Sequence, residues 1–160
     1  MTQGNVTIID DDRDTRQMLR MALEAEGLVV GEVQSGLRLI STLHVDKPNV
    51  ILMDAVLSWI DGIELCRSIK KNPAFKEIPI VFISARRRSE DIAAGLGAGA
   101  VDYFPKPLHL GRLIPRLRDI LGSGRGGDRK REAEAGPRHE ANGKEASGSD
   151  DRESEEKTPS

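Results

Sequence analysis

The 160-residue chain lacks any apolar stretch near the roughly 18 residues that a membrane-spanning helix needs. Its single cysteine, Cys66, excludes an internal disulfide and is typical of a protein from a reducing compartment. Neither sign of charge predominates, because 24 basic residues nearly balance 26 acidic ones, and this argues against strong attraction to nucleic acid or to a membrane surface. The N-terminus has neither the charged nor the apolar region of a signal peptide. We therefore expect a cytoplasmic protein with no membrane contact.

The composition changes near Leu121. Residues 122–160 contain no Leu, Ile, Val, Met or aromatic residue, and four alanines are their only apolar side chains. Such a segment cannot bury enough apolar surface to offset the entropy lost on ordering. We predict a folded domain over residues 1–121 and a disordered, charged tail over residues 122–160. The tail is also too poor in apolar residues to form a DNA-binding helical bundle, so we expect no direct DNA binding.

Within residues 1–121, short apolar runs alternate with segments of helical periodicity. The runs predict strands near residues 5–10, 28–33, 49–54, 79–84 and 101–104. Between and after them, apolar residues recur at the spacing of an amphipathic helix. Five such strand–helix units predict an α/β fold, in which helices cover both faces of a parallel sheet. Pro115 falls inside the last helical pattern, where we expect it to bend the helix near Gly111 or delay its start.

Four of the predicted strands end in, or are closely followed by, residues with charged or hydroxyl side chains that can bind a ligand or react. The first leads into Asp10-Asp11-Asp12, the third into Asp54, the fourth into Ser84, and the fifth is followed by Lys106-Pro107. In open α/β sheets the site lies outside the carboxyl ends of the strands, so these side chains are expected in one pocket. Carboxylates suit Mg²⁺, and an amine with a hydroxyl suits a phosphoryl group. The pattern predicts a phosphoryl-accepting switch.

Each of these residues also has a purely structural explanation. Asp12 is best explained as a helix cap. Asp10 and Asp11 are harder to explain in this way, because adjacent carboxylates repel and a cation would relieve the repulsion. A carboxylate at Asp54, at the end of an apolar strand, is costly without compensation, and Lys106 is the candidate counter-ion.

Three further features have competing explanations. The segment Gly95-Leu96-Gly97-Ala98-Gly99 mimics a dinucleotide-binding fingerprint, but it follows a helix and precedes a strand, which is the reverse of the required order. We therefore predict a helix stop there. Trp59, in the loop after Asp54, either packs over the domain or anchors a partner. Arg86, two residues past Ser84, either is solvated or reaches the rim of the pocket.

Residues 5–121 resemble the receiver domain of bacterial two-component response regulators. The motifs that carry this resemblance are Ile8-Ile9-Asp10-Asp11-Asp12, Ile51-Leu52-Met53-Asp54, Asp61-Gly62, Phe82-Ile83-Ser84-Ala85, Gly99-Ala100-Val101-Asp102-Tyr103 and Lys106-Pro107. The resemblance implies a flavodoxin-like fold, a doubly wound five-stranded parallel sheet of strand order 2-1-3-4-5. It also implies a cis peptide between Lys106 and Pro107.

The resemblance further implies a phosphoacceptor and a metal site. Asp54 would accept a phosphoryl group from a histidine kinase or a histidine phosphotransfer protein. Asp11, Asp54 and the backbone carbonyl of Val56 would hold Mg²⁺, with Asp10 acting through water.

The remaining implied roles concern the response to phosphorylation. Lys106 and Ser84 would each contact a phosphoryl oxygen. Tyr103 matches the switch aromatic of the family and would swing inward as the Ser84 hydroxyl moves to the phosphoryl group. The surface of the fourth helix, fifth strand and fifth helix would then change, and a downstream protein would read it.

The chain departs from the usual pattern of the family at several positions. Ser58 stands where the family usually has proline, which leaves a backbone N–H to satisfy. Pro105 precedes Lys106-Pro107, where an edge strand tolerates it, and Pro115 interrupts the last helix. Val56, two residues past the acceptor, cannot orient a hydrolytic water, so we expect slow self-dephosphorylation.

Two other functions fit part of the pattern. A phosphorylation-independent adaptor would use the fold as a docking surface, but the intact set of Asp54, Ser84 and Lys106 argues against it. A phosphohydrolase of the haloacid dehalogenase type needs an acidic residue where this chain has Val56. We therefore expect a stand-alone response regulator that signals through protein–protein contact and is not an enzyme beyond its own phosphorylation and dephosphorylation.

Overall fold

The computed structural model describes residues 4–122. Strands and helices alternate along this part of the chain in the order β1 (Asn5–Ile9), α1 (Arg13–Ala25), β2 (Val29–Val33), α2 (Gly36–Val45), β3 (Val50–Met53), α3 (Gly62–Lys71), β4 (Ile80–Ser84), α4 (Ser89–Gly97), β5 (Asp102–Pro105) and α5 (110–122). All five predicted strands are confirmed, each to within one residue at either end. The predicted tail lies outside the described residues, so it and the boundary at Leu121 stay predictions.

The five strands form one parallel sheet of order β2-β1-β3-β4-β5, which confirms the implied topology. The strand order reverses between β1 and β3, and ligands of such sheets bind beside the carboxyl ends at that point. Ile9 pairs with Met53 across these two strands. The next residues, Asp10 and Asp54, therefore leave the sheet side by side, and the Asp54 N–H donates to the Ile9 carbonyl at 2.9 Å.

Alternate residues of the central strands pack into two separate cores. In β3, Val50 and Leu52 face α1 and α5, whereas Ile51 and Met53 face α2 and α3. Because both faces of the sheet are covered, the strands are continuous apolar runs rather than alternating ones. Cys66 is fully buried in the second of these cores, as its place on an apolar helical face predicts. The four side chains of β3 are fully buried, so the polar residues at the strand ends are held on a rigid base.

Several local expectations can be checked at the ends of the helices. The segment Gly95–Gly99 is a helix stop as predicted, because α4 ends within it at Gly97 and Gly99 has a φ of +113°, and the Lys106–Pro107 peptide is cis. The late start expected from Pro115 was wrong, because α5 begins at residue 110 and continues through Pro115, whereas the bend near Gly111 stays a prediction. Pro115 removes only the hydrogen bond to the Gly111 carbonyl, and the buried Leu113 and Leu117 hold the helix on the sheet. No helix within residues 4–122 is long and apolar enough to cross a membrane.

Candidate functional site

The site is centred on one lysine that lies between two carboxylates. The Lys106 Nζ is 3.0 Å from Asp10 Oδ2 and 3.1 Å from Asp54 Oδ2. The two aspartates follow the paired ends of β1 and β3, and Lys106 reaches them from the segment after β5. That segment is fixed because the Lys106 N–H donates to the Ser84 carbonyl at 2.7 Å. The structure thus brings the side chains of Asp10, Asp54 and Lys106 together, and the backbone of Ser84 holds Lys106 in place.

Burial and charge act in opposite directions on these groups. Asp10 is only 1% exposed, and this burial raises the pKa of its carboxyl although the Asp12 N–H and the Lys106 ammonium both lower it. Burial lowers the pKa of Lys106, but the hydrogen bonds and negative charges of Asp10 and Asp54 outweigh burial and raise it. Lys106 is therefore charged at neutral pH, and it is shared between two acidic side chains.

The segment from Asp54 to Gly62, called the acceptor loop below, is tightly folded. Asp54 Oδ1 accepts a hydrogen bond from the Val56 N–H at 2.9 Å, and the Gly62 N–H donates to the Ala55 carbonyl at 2.8 Å. Asp61 caps α3 by accepting a hydrogen bond from the Ile63 N–H. A side chain at Gly62 would overlap the backbone oxygen of Asp54, so only glycine allows this close approach.

Asp11 does not point to the same place as the other two acidic residues. It is exposed, and its Oδ2 accepts the backbone N–H of Ser58 at 2.5 Å. The N–H that the missing proline leaves free is thus satisfied by a predicted metal ligand. Asp12, as predicted, caps α1, because it accepts the Thr15 N–H. Across residues 4–122, no group of three or more His, Cys, Asp or Glu side chains is arranged to hold a metal ion.

Ser84 and Tyr103 lie beside the pocket on β4 and β5. Ser84 is fully buried, and its Oγ accepts the Arg86 N–H at 3.1 Å. The Tyr103 hydroxyl donates to the Arg86 carbonyl at 2.9 Å, and the residue is only 6% exposed, a burial that raises the pKa of the phenol. This structure therefore does not show Tyr103 in the outward position from which the predicted inward movement would start. The ring is already inside because Gly95 leaves room, since a Cβ there would lie 2.9 Å from it.

Two residues near the site, Arg16 and its partner Glu32, were missed from the sequence. Arg16 is only 7% exposed, and it donates to the Asp10 carbonyl at 2.7 Å and to Glu32 at 2.9 Å. The helical period contained the signal, because Arg16 lies three and seven residues before the buried Leu19 and Leu23. An arginine on the buried face of a helix needs a partner, and here that partner includes the backbone of the site.

The two features with competing explanations are also placed. Trp59 packs against the core on the α2 and α3 side and over Gly36, which favours the packing explanation. The Arg86 guanidinium lies 3.9 Å from Asp61 at the edge of the acceptor loop, so it reaches the rim of the pocket.

Comparison with known proteins supports the family resemblance inferred from the sequence. The family described as the response regulator receiver domain matches residues 6–118. The transcriptional regulatory protein CseB of Streptomyces coelicolor is 36% identical over 130 residues, which are 79% of this chain and 54% of that protein. The response regulator MprA of Mycolicibacterium vanbaalenii is 34% identical over 116 residues, 72% of this chain and 49% of that protein. The chain spans about half the length of these curated relatives.

Solved structures agree with the sequence relatives. A putative response regulator from Chloroflexus aurantiacus has a TM-score of 0.72 at 30% identity and covers 76% of this chain and 99% of its own. The BeF₃-activated receiver domain of Klebsiella pneumoniae RstA has a TM-score of 0.68 at 26% identity, with 73% and 97% covered. The chain therefore belongs to the response regulator receiver domain family of two-component systems, and its fold is the flavodoxin-like receiver fold.

Proposed function

We propose that Asp54 accepts a phosphoryl group from the phosphohistidine of a histidine kinase or a histidine phosphotransfer protein. The observation that carries this proposal is the Lys106 ammonium, held 3.0 Å and 3.1 Å from two separate carboxylates. A structural ion pair needs only one carboxylate. Two carboxylates around one ammonium leave negative charge unbalanced in a largely buried place, which is unfavourable unless the site binds a further cation.

The transfer needs a nucleophile and groups that stabilise the moving phosphoryl oxygens. An Asp54 carboxylate oxygen attacks phosphorus, the P–N bond breaks, and its electron pair stays on the imidazole, which takes up a proton. Lys106 binds one phosphoryl oxygen, because its ammonium already lies beside the attacking carboxylate. Ser84 donates its hydroxyl proton to another, since its Oγ lies at the end of β4 and accepts a hydrogen bond from the Arg86 N–H. Phosphoryl transfer depends mostly on such positioning and charge stabilisation.

We propose that the same pocket also binds Mg²⁺, although within residues 4–122 its three carboxylates are not arranged around one metal position. Asp10, Asp11, Asp54 and the backbone carbonyl of Val56 supply the hard oxygen ligands that this cation prefers. Asp10 and Asp54 share the one Lys106 ammonium, so two acidic side chains face a single positive charge at this position. Bound there, Mg²⁺ would offset charge on the phosphoryl oxygens.

We propose that the output is contact with a downstream protein through the face formed by α4, β5 and α5. This face contains the exposed Leu96 and Val101 beside an ion-pair cluster in which Arg116 joins Asp102 at 2.8 Å and Asp119 at 3.1 Å. Tyr103 of β5 connects the face to the pocket through Arg86. The absence of direct DNA binding stays a prediction, since one relative is a transcriptional regulatory protein.

The test is phosphorylation with a small phosphodonor and Mg²⁺, followed by intact-mass measurement. We expect the protein to gain one phosphoryl group and the Asp54→Ala variant to gain none. The matched control is Asp12→Asn, which removes a neighbouring carboxylate charge but keeps a capping side chain for α1, and it should be phosphorylated normally. An unmodified wild-type chain, or equal modification of Asp54→Ala, would contradict the proposal.

A further inference from the structure

We propose that the backbone N–H of Ser58 is a positioning group that holds the Asp11 carboxylate in its metal-free orientation, so that Mg²⁺ binds only by competing with this hydrogen bond. The inference rests on the proposed function, because it concerns the cation of that site. The hydrogen bond between the Ser58 N–H and Asp11 should give this chain a lower Mg²⁺ affinity than the same pocket would have without that N–H.

The contact joins two segments that are far apart in the sequence. The N–H of Ser58 lies 2.5 Å from Asp11 Oδ2 across 47 residues of sequence. It is a charge-assisted hydrogen bond, and such bonds are shorter and stronger than neutral ones. Within residues 4–122 it is the one hydrogen bond found for the Asp11 carboxylate, so this bond sets where the carboxylate points.

The orientation of Asp11 has a direct consequence for cation binding. Asp10 and Asp54 converge on Lys106, but no three carboxylates in residues 4–122 are arranged around a common metal position. For Asp11 to join the other two, its carboxylate must reorient, even if it binds the cation through its other oxygen, Oδ1. Because Oδ2 is held by the Ser58 N–H, reorientation weakens a hydrogen bond to a charged group, and the cation must supply that free energy.

The acceptor loop contains its own reporter of this change. Trp59 follows Ser58 directly and is the only tryptophan in the chain. Its indole packs so closely over α2 that a Cβ at Gly36 would lie 2.6 Å from it. The indole Nε1 is buried with no hydrogen-bond partner among the described residues. Packing alone therefore fixes the ring, and a shift of the Ser58 backbone alters its surroundings.

The first experiment is a calorimetric Mg²⁺ titration of the wild type, Ser58→Ala and Ser58→Pro. Alanine keeps the N–H, whereas proline removes it. We expect Ser58→Ala to bind with the wild-type Kd and Ser58→Pro to bind about fivefold tighter, the equivalent of one net hydrogen bond of about 1 kcal/mol. An unchanged or weaker affinity in Ser58→Pro, or a change of the same size in Ser58→Ala, overturns the inference.

The second experiment uses the wild-type protein alone, so it does not depend on how proline changes the loop. The Ser58 amide proton should be shifted downfield and protected from exchange without Mg²⁺, and both properties should be lost as Mg²⁺ saturates the site. Trp59 emission should change with the same midpoint. If Mg²⁺ binds while the Ser58 amide is unaffected, this inference is wrong and the phosphoacceptor proposal stands. If the wild type binds no Mg²⁺ and is not phosphorylated, both are wrong.

Discussion

Replacing Gly62 by alanine tests how tightly the acceptor loop is built. The new Cβ would lie 2.8 Å from Ala55 Cα and 3.0 Å from Ala55 C, and it would overlap the Asp54 carbonyl oxygen. All three are backbone atoms, so no flexible side chain can rotate away. The start of α3 must therefore move away from the loop, or the loop must move away from the sheet.

The size of the effect follows from what such a movement breaks. Separating the two segments loses the hydrogen bond from the Gly62 N–H to the Ala55 carbonyl, about 1 kcal/mol net. Residual overpacking in a buried position costs about 1–3 kcal/mol more. We expect Gly62→Ala to lower the free energy of unfolding by about 3 kcal/mol, or the Tm by about 10 °C for a domain of this size. Phosphorylation of Asp54 should also slow, because its carbonyl is displaced.

The assay is urea unfolding at neutral pH, with Gly111→Ala as the matched control. Gly111 lies in α5 with open space where a Cβ would be placed. Alanine there should be neutral or stabilise the domain by up to about 1 kcal/mol, because glycine is a poor helix former. If Gly62→Ala unfolds at the same urea concentration as the wild type or Gly111→Ala, the close approach is not as tight as the structure has it.

Three further changes have expected outcomes. Tyr103→Phe removes the hydrogen bond to the Arg86 carbonyl and should cost about 1 kcal/mol in urea unfolding; no loss would mean that the hydroxyl is solvated instead. The hydrogen bond from Arg20 lowers the pKa of the Glu32 carboxyl from its ordinary value of 4.5. Ionised Glu32 therefore stabilises the fold fully above pH 4.5. This stabilisation is lost as the pH falls through the lowered pKa. Glu32→Gln should therefore cost about 1 kcal/mol at neutral pH, a difference that disappears in acid; a pH-independent difference would refute the assignment. Val56→Asn supplies a side chain that can orient water and should shorten the phosphoryl lifetime about tenfold, the equivalent of one hydrogen bond in the transition state; an unchanged lifetime would contradict this role.

The fold was predictable because each of its elements is encoded locally. The apolar runs of the central strands are short and uninterrupted, and the segments between them have a helical period. The carboxyl ends of parallel strands share one edge of the sheet, so the approach of Asp10 and Asp54 followed from topology without any contact being known. The strand register pairs Ile9 with Met53, so the residues that follow them, Asp10 and Asp54, lie side by side.

The details of the site were less predictable where they depend on contacts that no local pattern encodes. The sequence indicated that Ser58 has an N–H to satisfy, but not that Asp11, 47 residues away, would satisfy it. The buried position of Tyr103 depends on the absence of a side chain at Gly95, in a different element. Both are tertiary effects. The burial of Arg16, by contrast, was visible in the helical period and was overlooked.

The acceptor loop therefore connects the proposed phosphoacceptor with a proposed metal ligand. At one end, Gly62 fixes the loop against the backbone of the proposed acceptor Asp54. In the middle, the Ser58 N–H fixes it to the proposed metal ligand Asp11. A substitution that moves the loop as a whole should alter phosphorylation and Mg²⁺ binding together, whereas one that removes only the Ser58 N–H should alter Mg²⁺ binding and leave Asp54 in place. Comparing Gly62→Ala with Ser58→Pro in the same Mg²⁺ titration and the same phosphorylation assay separates these effects, and identical changes in both variants would show that the loop does not hold the two residues independently.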